Sequence, residues 1–228
     1  MPPRCVQCGG TGRPPALDLC RYCEEDLVAN LTACRGCATP LPVGGDERCG
    51  GCLRSARTFD AAFAPYLYEY PMDRLIQRFK YQGELAVGRV LGELLASAVA
   101  ARGCELPQVL VPVPLARAKQ RMRGFNQALE LARPLGRALS LPVRMDLCAR
   151  SRATADQATL GARARRRNLR GAFVAVASEA AQRIALVDDV LTTGSTCEEL
   201  ARVLKRAGAE RVDVWVVARA SPRRRGFH

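Results

Sequence analysis

Four CxxC pairs near the amino terminus restrict the fold of this chain more than any other feature of its sequence. A shift of 29 residues places the first two pairs on the last two, so the segment is an internal duplication. Each half reads CxxC, eleven residues, CxxC, which lets two tight turns present four thiolates to one tetrahedral ion. The eight cysteines are Cys5, Cys8, Cys20, Cys23, Cys34, Cys37, Cys49 and Cys52.

Zinc is the metal that best fits such a pattern, and we expect two structural ions per chain. The only histidine is His228, far from the pairs, and four sulfur ligands leave no coordination position open for catalysis. Free or disulfide-linked thiols are the alternative, but closely spaced pairs in a chain without an export signal favour metal. Sequential pairing is favoured by the repeat, whereas a cross-braced arrangement would use the same residues.

Length and composition leave room for one larger domain after this module. The chain has 228 residues, of which 48% are hydrophobic, enough to bury a substantial core. We expect a double zinc ribbon over residues 1–57 and a second domain over residues 58–228. The amino terminus lacks the apolar stretch of a signal peptide, and the longest apolar run, near residues 94–101, is too short to span a bilayer. The sequence therefore predicts a cytoplasmic protein.

The positive charge belongs to the second part of the chain. Residues 1–55 hold six arginines and six acids, so the whole net charge of +13 lies in residues 56–228. A zinc ion held by four thiolates carries a net charge of −2, which would make the loaded module mildly acidic. We therefore expect the cysteine module to hold a partner protein, a second copy or the body of the chain rather than a phosphate backbone.

The larger part alternates between strand and helix patterns. Helices are predicted over residues 85–103 and 195–207 and over "FNQALELARPLGRALS", where Pro134 suggests a kink. The strand candidates are "FDAAFAPYLYEY" (a strand or hairpin), "QVLVPVP", "FVAVA", "RIALVDD" and "RVDVWVVARA". Because the last two strands flank a helix, a right-handed parallel crossover is expected, and hence an α/β sheet covered by helices on both faces.

Two carboxylates end the strand "RIALVDD", and a hydroxyl-rich loop follows them. Successive strand residues point to opposite faces, so Asp188 and Asp189 can reach two neighbouring hydroxyls of one ligand. The loop begins a helix whose first amides favour an anion, and Gly194 permits a close backbone approach. Its hydroxyls belong to Thr192, Thr193, Ser195 and Thr196. A phosphate joined to a sugar diol would match both halves.

Two other interpretations of this segment are weaker. A simple helix cap would explain Ser195 or Thr196, but it would not explain two acids at the end of a buried strand. A Walker B strand would require a GxxxxGK[ST] loop elsewhere, and none of the three lysines follows a glycine. The sequence therefore excludes a P-loop ATPase.

The stretch "IALVDDVLTTGST" resembles the phosphoribosyl-pyrophosphate (PRPP) motif of the type I phosphoribosyltransferases. Three further blocks resemble the ComF-like competence proteins, which also carry preceding cysteine pairs. These blocks are "FKYQGE", "VPVPLARAKQRMRGFNQALELA" and "RATADQATLGARARRRNLRGAF". The resemblance implies an α/β fold with a type I phosphoribosyltransferase-like parallel sheet and helices on both faces, preceded by a small double zinc-ribbon module.

The resemblance also implies roles for particular residues. Asp188 and Asp189 would be the catalytic pair that bonds the ribose 2′ and 3′ hydroxyls, and the backbone of residues 192–196 would hold the 5′-phosphate. A pyrophosphate loop, with Mg²⁺ bound by PRPP itself, would lie after the first strand of the sheet. Its residues would be Val113, Pro114, Leu115, Arg117, Lys119, Arg121 and Arg123. For the four basic residues a solvated basic face is an equal alternative.

The implied reaction is displacement of pyrophosphate from ribose C1, with an acceptor that the sequence does not name. A second hypothesis is a non-enzymatic factor that binds single-stranded DNA, since ComF-like proteins are associated with DNA uptake, and the zinc module could engage another competence protein. Basic residues at 163, 165, 166, 167, 170 and 223–225 could follow a phosphate backbone. Residues 150–170 could instead close over PRPP or form a disordered loop.

Four isolated side chains are expected to be structural. Trp215, Cys104 and Cys148 are predicted to belong to the core. Cys197 is expected to pack as well, although a thiol in the first turn of a helix can have a lowered pKa.

Overall fold

A parallel β-sheet organises the larger part of the chain. The structure, a computed structural model, describes residues 3–13, 17–43, 47–151, 169–176 and 181–220. The sheet strands are β1 (Ala61–Phe63), β2 (Tyr66–Leu67), β3 (Val109–Pro112), β6 (Arg183–Leu191) and β7 (Arg211–Arg219). They are ordered β1-β7-β6-β3, with β2 also paired to β7, and every pairing is parallel. The predicted crossover from β6 to β7 is therefore confirmed.

Helices cover both faces of this sheet, as expected. They are α3 (Met72–Gln77), α4 (Leu85–Ala101), α5 (Arg117–Arg123), α6 (Gln127–Leu139) and α7 (Ser195–Arg206), with a π-helical turn at Arg78–Gln82. Alternation along β6 divides the core, because Ala185 and Val187 pack with residues of α4 and α6, whereas Ile184 and Leu186 pack with residues of α7. β6 thus lies between two well-packed layers, one with α4 and α6 and the other with α7.

Glycine allows two helices on one face to pack unusually close together. A Cβ atom on Gly92 of α4 would lie 2.4 Å from Cγ of Pro134 and 2.8 Å from the carbonyl oxygen of Leu131, both in α6. Pro134 lies within α6, which continues from Gln127 to Leu139. Pro134 is therefore a buried residue that packs against Gly92, which the sequence pattern did not indicate.

The structure refines two sequence predictions about local features and corrects a third, the burial of Cys104. The segment "FDAAFAPYLYEY" does not form a hairpin, since β1 and β2 both pair with β7. The strand in "FVAVA", β5 (Phe173–Ala175), leaves the main sheet and pairs antiparallel with β4 (Cys148–Arg150). Cys104 is exposed rather than part of the core. Trp215 and Cys148 are buried as predicted.

No helix in the described part of the chain has both the length and the apolar character that a membrane span requires.

Candidate functional site

The eight cysteines form two separate four-cysteine clusters near the short helices α1 (Arg21–Glu25) and α2 (Gly50–Arg54). Within each cluster the four Sγ atoms lie within 4.8 Å of one another, and the all-thiol donor set fits tetrahedral zinc. Grouping is sequential, as the repeat favours: the first cluster is Cys5, Cys8, Cys20 and Cys23, and the second is Cys34, Cys37, Cys49 and Cys52. The structure thus contains a double zinc-ribbon module.

The first cluster is built into the main core. Cys5, Cys23, Leu19 and Leu27 belong to the same buried cluster as residues of α3 and α4. The Arg78 guanidinium, at the start of the π-helical turn, donates a hydrogen bond of 2.8 Å to the carbonyl oxygen of Val6, between Cys5 and Cys8. The amino-terminal module therefore packs directly on the body of the protein.

A cleft of about 390 Å³ opens at the carboxyl ends of β3 and β6. Ligands of open parallel sheets bind at this edge, where the loops that follow the strands converge. Its lining includes Lys80, Tyr81, Val113, Pro114, Leu115, Lys119, Arg123, Asp188, Asp189, Thr192 and Thr196. The structure therefore brings the acid pair, part of the hydroxyl loop and part of the basic segment to one cavity.

The side chains of Asp188 and Asp189 lie on opposite faces of β6, as the alternation of strand residues requires. Asp188 continues the row of Ile184 and Leu186 on the α7 side, where its Oδ1 accepts a 2.9 Å hydrogen bond from the Asp189 amide. Asp189 is only 3% exposed, and its Oδ2 lies 2.5 Å from Nζ of Lys80. Its Oδ1 accepts a 2.7 Å bond from the amide of Val190. Asp189 is thus held as one half of a buried ion pair.

Lys80 is a site residue that the sequence analysis did not identify. It lies in the π-helical turn, beside the fully buried Phe79, whose ring lies so close to Gly88 that a Cβ there would be 2.4 Å from it. Such turns interrupt α-helices frequently at functional sites. The pKa of Lys80 is lowered to about 8, chiefly by burial. The negative charge of Asp188 opposes this shift, and the positive charges of Arg123 and Lys119 add to it. Lys80 lies in the ComF-like block "FKYQGE", which is the sequence feature that could have indicated its role.

Asp188 is also perturbed electrostatically. Burial raises the pKa of its carboxyl group to about 6, although the positive charges of Lys80 and Arg123 act in the opposite direction. A carboxylate with its pKa near neutrality and a lysine with a pKa of about 8 in one cleft are typical of a functional site.

The hydroxyl-rich loop forms a tight entry into α7. Gly194, the residue before the helix, has φ of +78°, a conformation that L side chains rarely adopt, so glycine is required there by the backbone. Thr192 and Thr196 line the cleft, whereas the hydroxyls of Thr193 and Ser195 lie 2.9 Å apart and bond to each other. Thr196, in the first turn of α7, lines the same cleft as the acids, and the first amides of a helix have no partner within it.

Cys197, in the first turn of α7, is a packing residue. It is 3% exposed among the residues that α7 packs against the sheet. Burial, together with the negative charges of Asp188 and Glu198, raises the pKa of its thiol. The alternative of a lowered pKa is therefore wrong.

The predicted pyrophosphate segment is only partly directed into the cleft. Lys119 and Arg123 line it with the turn of Val113, Pro114 and Leu115, whereas Arg117 and Arg121 do not. Asn126 fixes this turn, because its amide donates to the carbonyl oxygen of Val113 at 3.2 Å while its Oδ1 caps α6 at the amide of Ala128.

Several predicted binding residues lie outside the described part of the chain. Of the basic residues that could follow a phosphate backbone, those at 163, 165, 166 and 167 are in the undescribed segment 152–168, and those at 223–225 follow residue 220. The roles expected for these residues remain predictions.

A parallel sheet whose central strand carries an acid pair near its carboxyl end, followed by a hydroxyl-rich helix entry, defines a phosphoribosyltransferase-type domain. The family described as "Phosphoribosyl transferase domain" matches residues 123–226. Competence protein F of Haemophilus influenzae is 36% identical over 95% of this chain and 97% of its own length. The chain belongs to the competence protein F family.

Other relatives have related names. The DNA utilization protein YhgH of Escherichia coli K12 is 34% identical over 88% of this chain and 90% of its own length. Competence protein ComFC of Bacillus subtilis is 29% identical over 63% of this chain and 57% of its own length. The similarity to the first two relatives extends across the cysteine module and the phosphoribosyltransferase-type domain together.

Proposed function

We propose that this protein binds PRPP with Mg²⁺ in the cleft at the carboxyl end of β6 and transfers its phosphoribosyl group to an acceptor. The observation that carries the proposal is the convergence of the acid pair, the entry of α7 and the basic residues Lys119 and Arg123 on one cavity. Asp188 and Asp189 supply acceptors for two ribose hydroxyls, and residues 192–196 supply amides and hydroxyls for the 5′-phosphate. Lys119 and Arg123 supply positive charge for the diphosphate.

The proposed reaction requires positioning and charge more than covalent chemistry. The bond between ribose C1 and the diphosphate oxygen breaks, and pyrophosphate leaves with the electron pair. A lone pair of the acceptor forms the new bond to C1, and a proton carried by the attacking atom passes to the leaving pyrophosphate or to solvent. Fixed carboxylates beside the ribose stabilise the developing positive charge on the ring, and the basic residues stabilise the leaving group, where Mg²⁺ bound by PRPP also neutralises charge.

Isothermal calorimetry with PRPP and Mg²⁺ tests the binding step. We expect wild-type protein to bind and Asp188→Asn to lose affinity by at least about tenfold, since a hydrogen bond to a charged group is worth about 1.5–3 kcal/mol. Glu130→Gln is the matched control, because Glu130 is a partly exposed carboxylate of α6 that pairs with Arg133 and does not line the cleft. Absence of PRPP binding by the wild type would contradict the proposal, and pyrophosphate release with a panel of acceptors then tests transfer.

The same titration has an expected pH dependence. A ribose hydroxyl donates a stronger hydrogen bond to an ionised carboxylate than to a neutral carboxyl group, and burial raises the pKa of Asp188 to about 6, so affinity should fall as the pH decreases through 6. The 5′-phosphate also gains a proton near this pH. The Asp188→Asn profile carries only the ligand's own ionisation, and the two profiles should therefore differ below pH 7. Parallel profiles would remove Asp188 from the binding step.

Zinc in both clusters is part of the same proposal. The four thiols of each cluster suit a metal that accepts four thiolates in a closed tetrahedral site, and zinc does so without redox chemistry. When bound, it would hold the two knuckles of each ribbon together. We expect two zinc ions per chain by metal analysis of freshly prepared protein.

Single-stranded DNA binding is a second candidate function, favoured by one exposed aromatic residue beside a basic helix. Tyr81 is 72% exposed at the edge of the cleft, and the guanidinium carbon of Arg123 lies 5.3 Å from its ring centroid. Helix α5, which carries Arg117, Lys119 and Arg121, has no buried residue. An aromatic face within a basic surface is the arrangement on which single-stranded bases stack.

Filter binding with a labelled single-stranded oligonucleotide tests this candidate. We expect affinity to fall between 50 and 200 mM salt and Tyr81→Ala to weaken binding by about fivefold or more, the loss of one stacked base. Tyr22→Ala is the matched control, because Tyr22 is 78% exposed but belongs to the first ribbon. Equal affinities for the two variants would exclude Tyr81 as a stacking platform.

A further inference from the structure

We propose that the second four-cysteine cluster sets the conformation of the phosphate loop, residues 192–196, through the positioning residues Arg219 and Arg57. The inference rests on the proposed function, in which this loop holds the 5′-phosphate of PRPP. It assigns to the second ribbon a task that the first does not share: metal in the second cluster controls affinity for the ligand.

Arg219, at the end of β7, joins the cluster to the loop by direct hydrogen bonds. It is 5% exposed. Its Nε donates to the carbonyl oxygen of Cys37 at 2.9 Å, and one Nη donates to the hydroxyl oxygen of Thr39 at 3.0 Å. The other Nη donates to the carbonyl oxygens of Leu191 and Thr192 at 2.6 and 2.7 Å. The planar guanidinium of Arg219 therefore holds the backbone of Cys37 and the start of the loop at fixed positions relative to each other.

Arg57 makes a second connection at the other end of the loop. Its guanidinium lies 2.5 Å from the carboxylate of Glu198, in the first turn of α7, and donates to the carbonyl oxygen of Thr193 at 3.3 Å. Arg57 and Cys52 line the same small cavity. The loop and its flanks are therefore bonded to Arg219 at Leu191 and Thr192 and to Arg57 at Thr193 and Glu198. Arg219 is bonded to the second cluster, and Arg57 lies beside it.

Hydrogen bonds hold the second ribbon on the sheet. A displacement of its cysteines would therefore be transmitted to the loop through Arg219 and Arg57. The amide of Ala62 in β1 donates to the carbonyl oxygen of Arg35 at 3.0 Å, inside the Cys34/Cys37 turn. The buried Asn30 side chain donates to the carbonyl oxygens of Ala38 and Ala64. Ala38 has φ of +54° and is fully buried, a left-handed conformation that costs energy and that the surrounding bonds maintain.

The first cluster makes its contacts elsewhere in the described structure. Its cysteines pack with α3 and α4, and its loop residue Asp18 pairs with Arg89 of α4. Cys20 and Cys49 hold equivalent positions in the two halves of the repeat, 29 residues apart, and both are partly exposed. The duplication therefore supplies its own control: Cys49 belongs to the cluster whose Cys37 is bonded to Arg219, whereas Cys20 belongs to the cluster that packs on α3 and α4.

Matched serine variants of these two ligands test the role of the metal. Cys20→Ser and Cys49→Ser should each lose one zinc per chain. We expect only Cys49→Ser to weaken PRPP–Mg²⁺ binding, by at least about tenfold, and to accelerate amide hydrogen exchange in residues 192–198. Equal affinity and loop exchange in the two variants would overturn the proposal. Absence of PRPP binding by the wild type would instead contradict the proposed function, and the exchange measurement would still test the coupling.

Arginine variants test the connection without touching a cysteine. Arg219→Gln and Arg57→Gln should keep two zinc ions, weaken PRPP binding and accelerate exchange in the loop, with partial recovery in Arg219→Lys because the positive charge remains. Arg89→Gln, which breaks the equivalent link of the first ribbon, should bind within twofold of wild type. If Arg219→Gln does not fold, Arg57→Gln decides, since its side chain is partly exposed. Wild-type affinity and exchange in Arg57→Gln would overturn the proposal.

Discussion

Lys80→Met is expected to lower the free energy of unfolding by about 3–5 kcal/mol at pH 7. The variant removes the cation 2.5 Å from Asp189 and leaves a carboxylate that is 3% exposed. Loss of one partner of a buried pair is costly because the remaining charge is neither solvated nor neutralised. Methionine keeps the apolar length of the lysine side chain, so the change isolates the charge. Urea unfolding of the two proteins measures the difference.

The double variant Lys80→Met/Asp189→Asn is the control for this effect. It removes both charges, so we expect most of the lost stability to return, whereas PRPP affinity should stay weakened because the ribose loses a carboxylate acceptor. A single Lys80→Met variant with a free energy of unfolding within about 0.5 kcal/mol of wild type would mean that the ion pair is unimportant for the folded state.

Removal of zinc by a strong chelator is expected to abolish cooperative unfolding of the ribbon module and to lower the melting temperature of the whole chain. Metal binding to such sites is coupled to folding and is worth about 10–16 kcal/mol in isolated zinc fingers. Here the loss should extend into the body, because Cys5 and Cys23 share a buried cluster with residues of α3 and α4. Differential scanning calorimetry with and without chelator measures it.

Cys104→Ser provides the matched control for zinc removal. Cys104 is exposed and lies outside both clusters, so this variant should melt like wild type and should retain both ions. An unchanged melting profile of the chelated wild type, with zinc shown to be removed, would contradict the structural role of the metal.

Much of the fold could be predicted from local sequence patterns. The apolar alternation of "RIALVDD" and "RVDVWVVARA", separated by a helix of the right length, has one favoured arrangement, a parallel crossover. The position of the acid pair follows directly from that pattern, because residues at the carboxyl end of a parallel strand lie at the ligand edge of the sheet. Strand partners were harder to predict. "FVAVA" has the composition of a sheet strand, yet it pairs with β4 outside the main sheet.

The rest of the site depends on contacts between distant segments. Nothing local to Lys80 indicates that its ammonium group meets Asp189, since that contact depends on how Phe79 packs beside α4. Arg219 is similar: it reads as the polar end of a strand, but in the structure it is buried and bonded to Cys37, Thr39 and the start of the phosphate loop. Burial of charged groups is a property of the packed chain, so sequence patterns alone do not reveal it.

The sequence by itself determined the two metal ribbons, the parallel sheet and the position of Asp188 and Asp189, because spacing and periodicity act over a few neighbouring residues. Only the tertiary structure decided that Lys80 completes the cleft, that Arg117 and Arg121 do not line it, and that the two halves of a duplicated ribbon attach to different parts of the protein. These outcomes depend on which layers come into contact, and that is set by the packing of the whole chain.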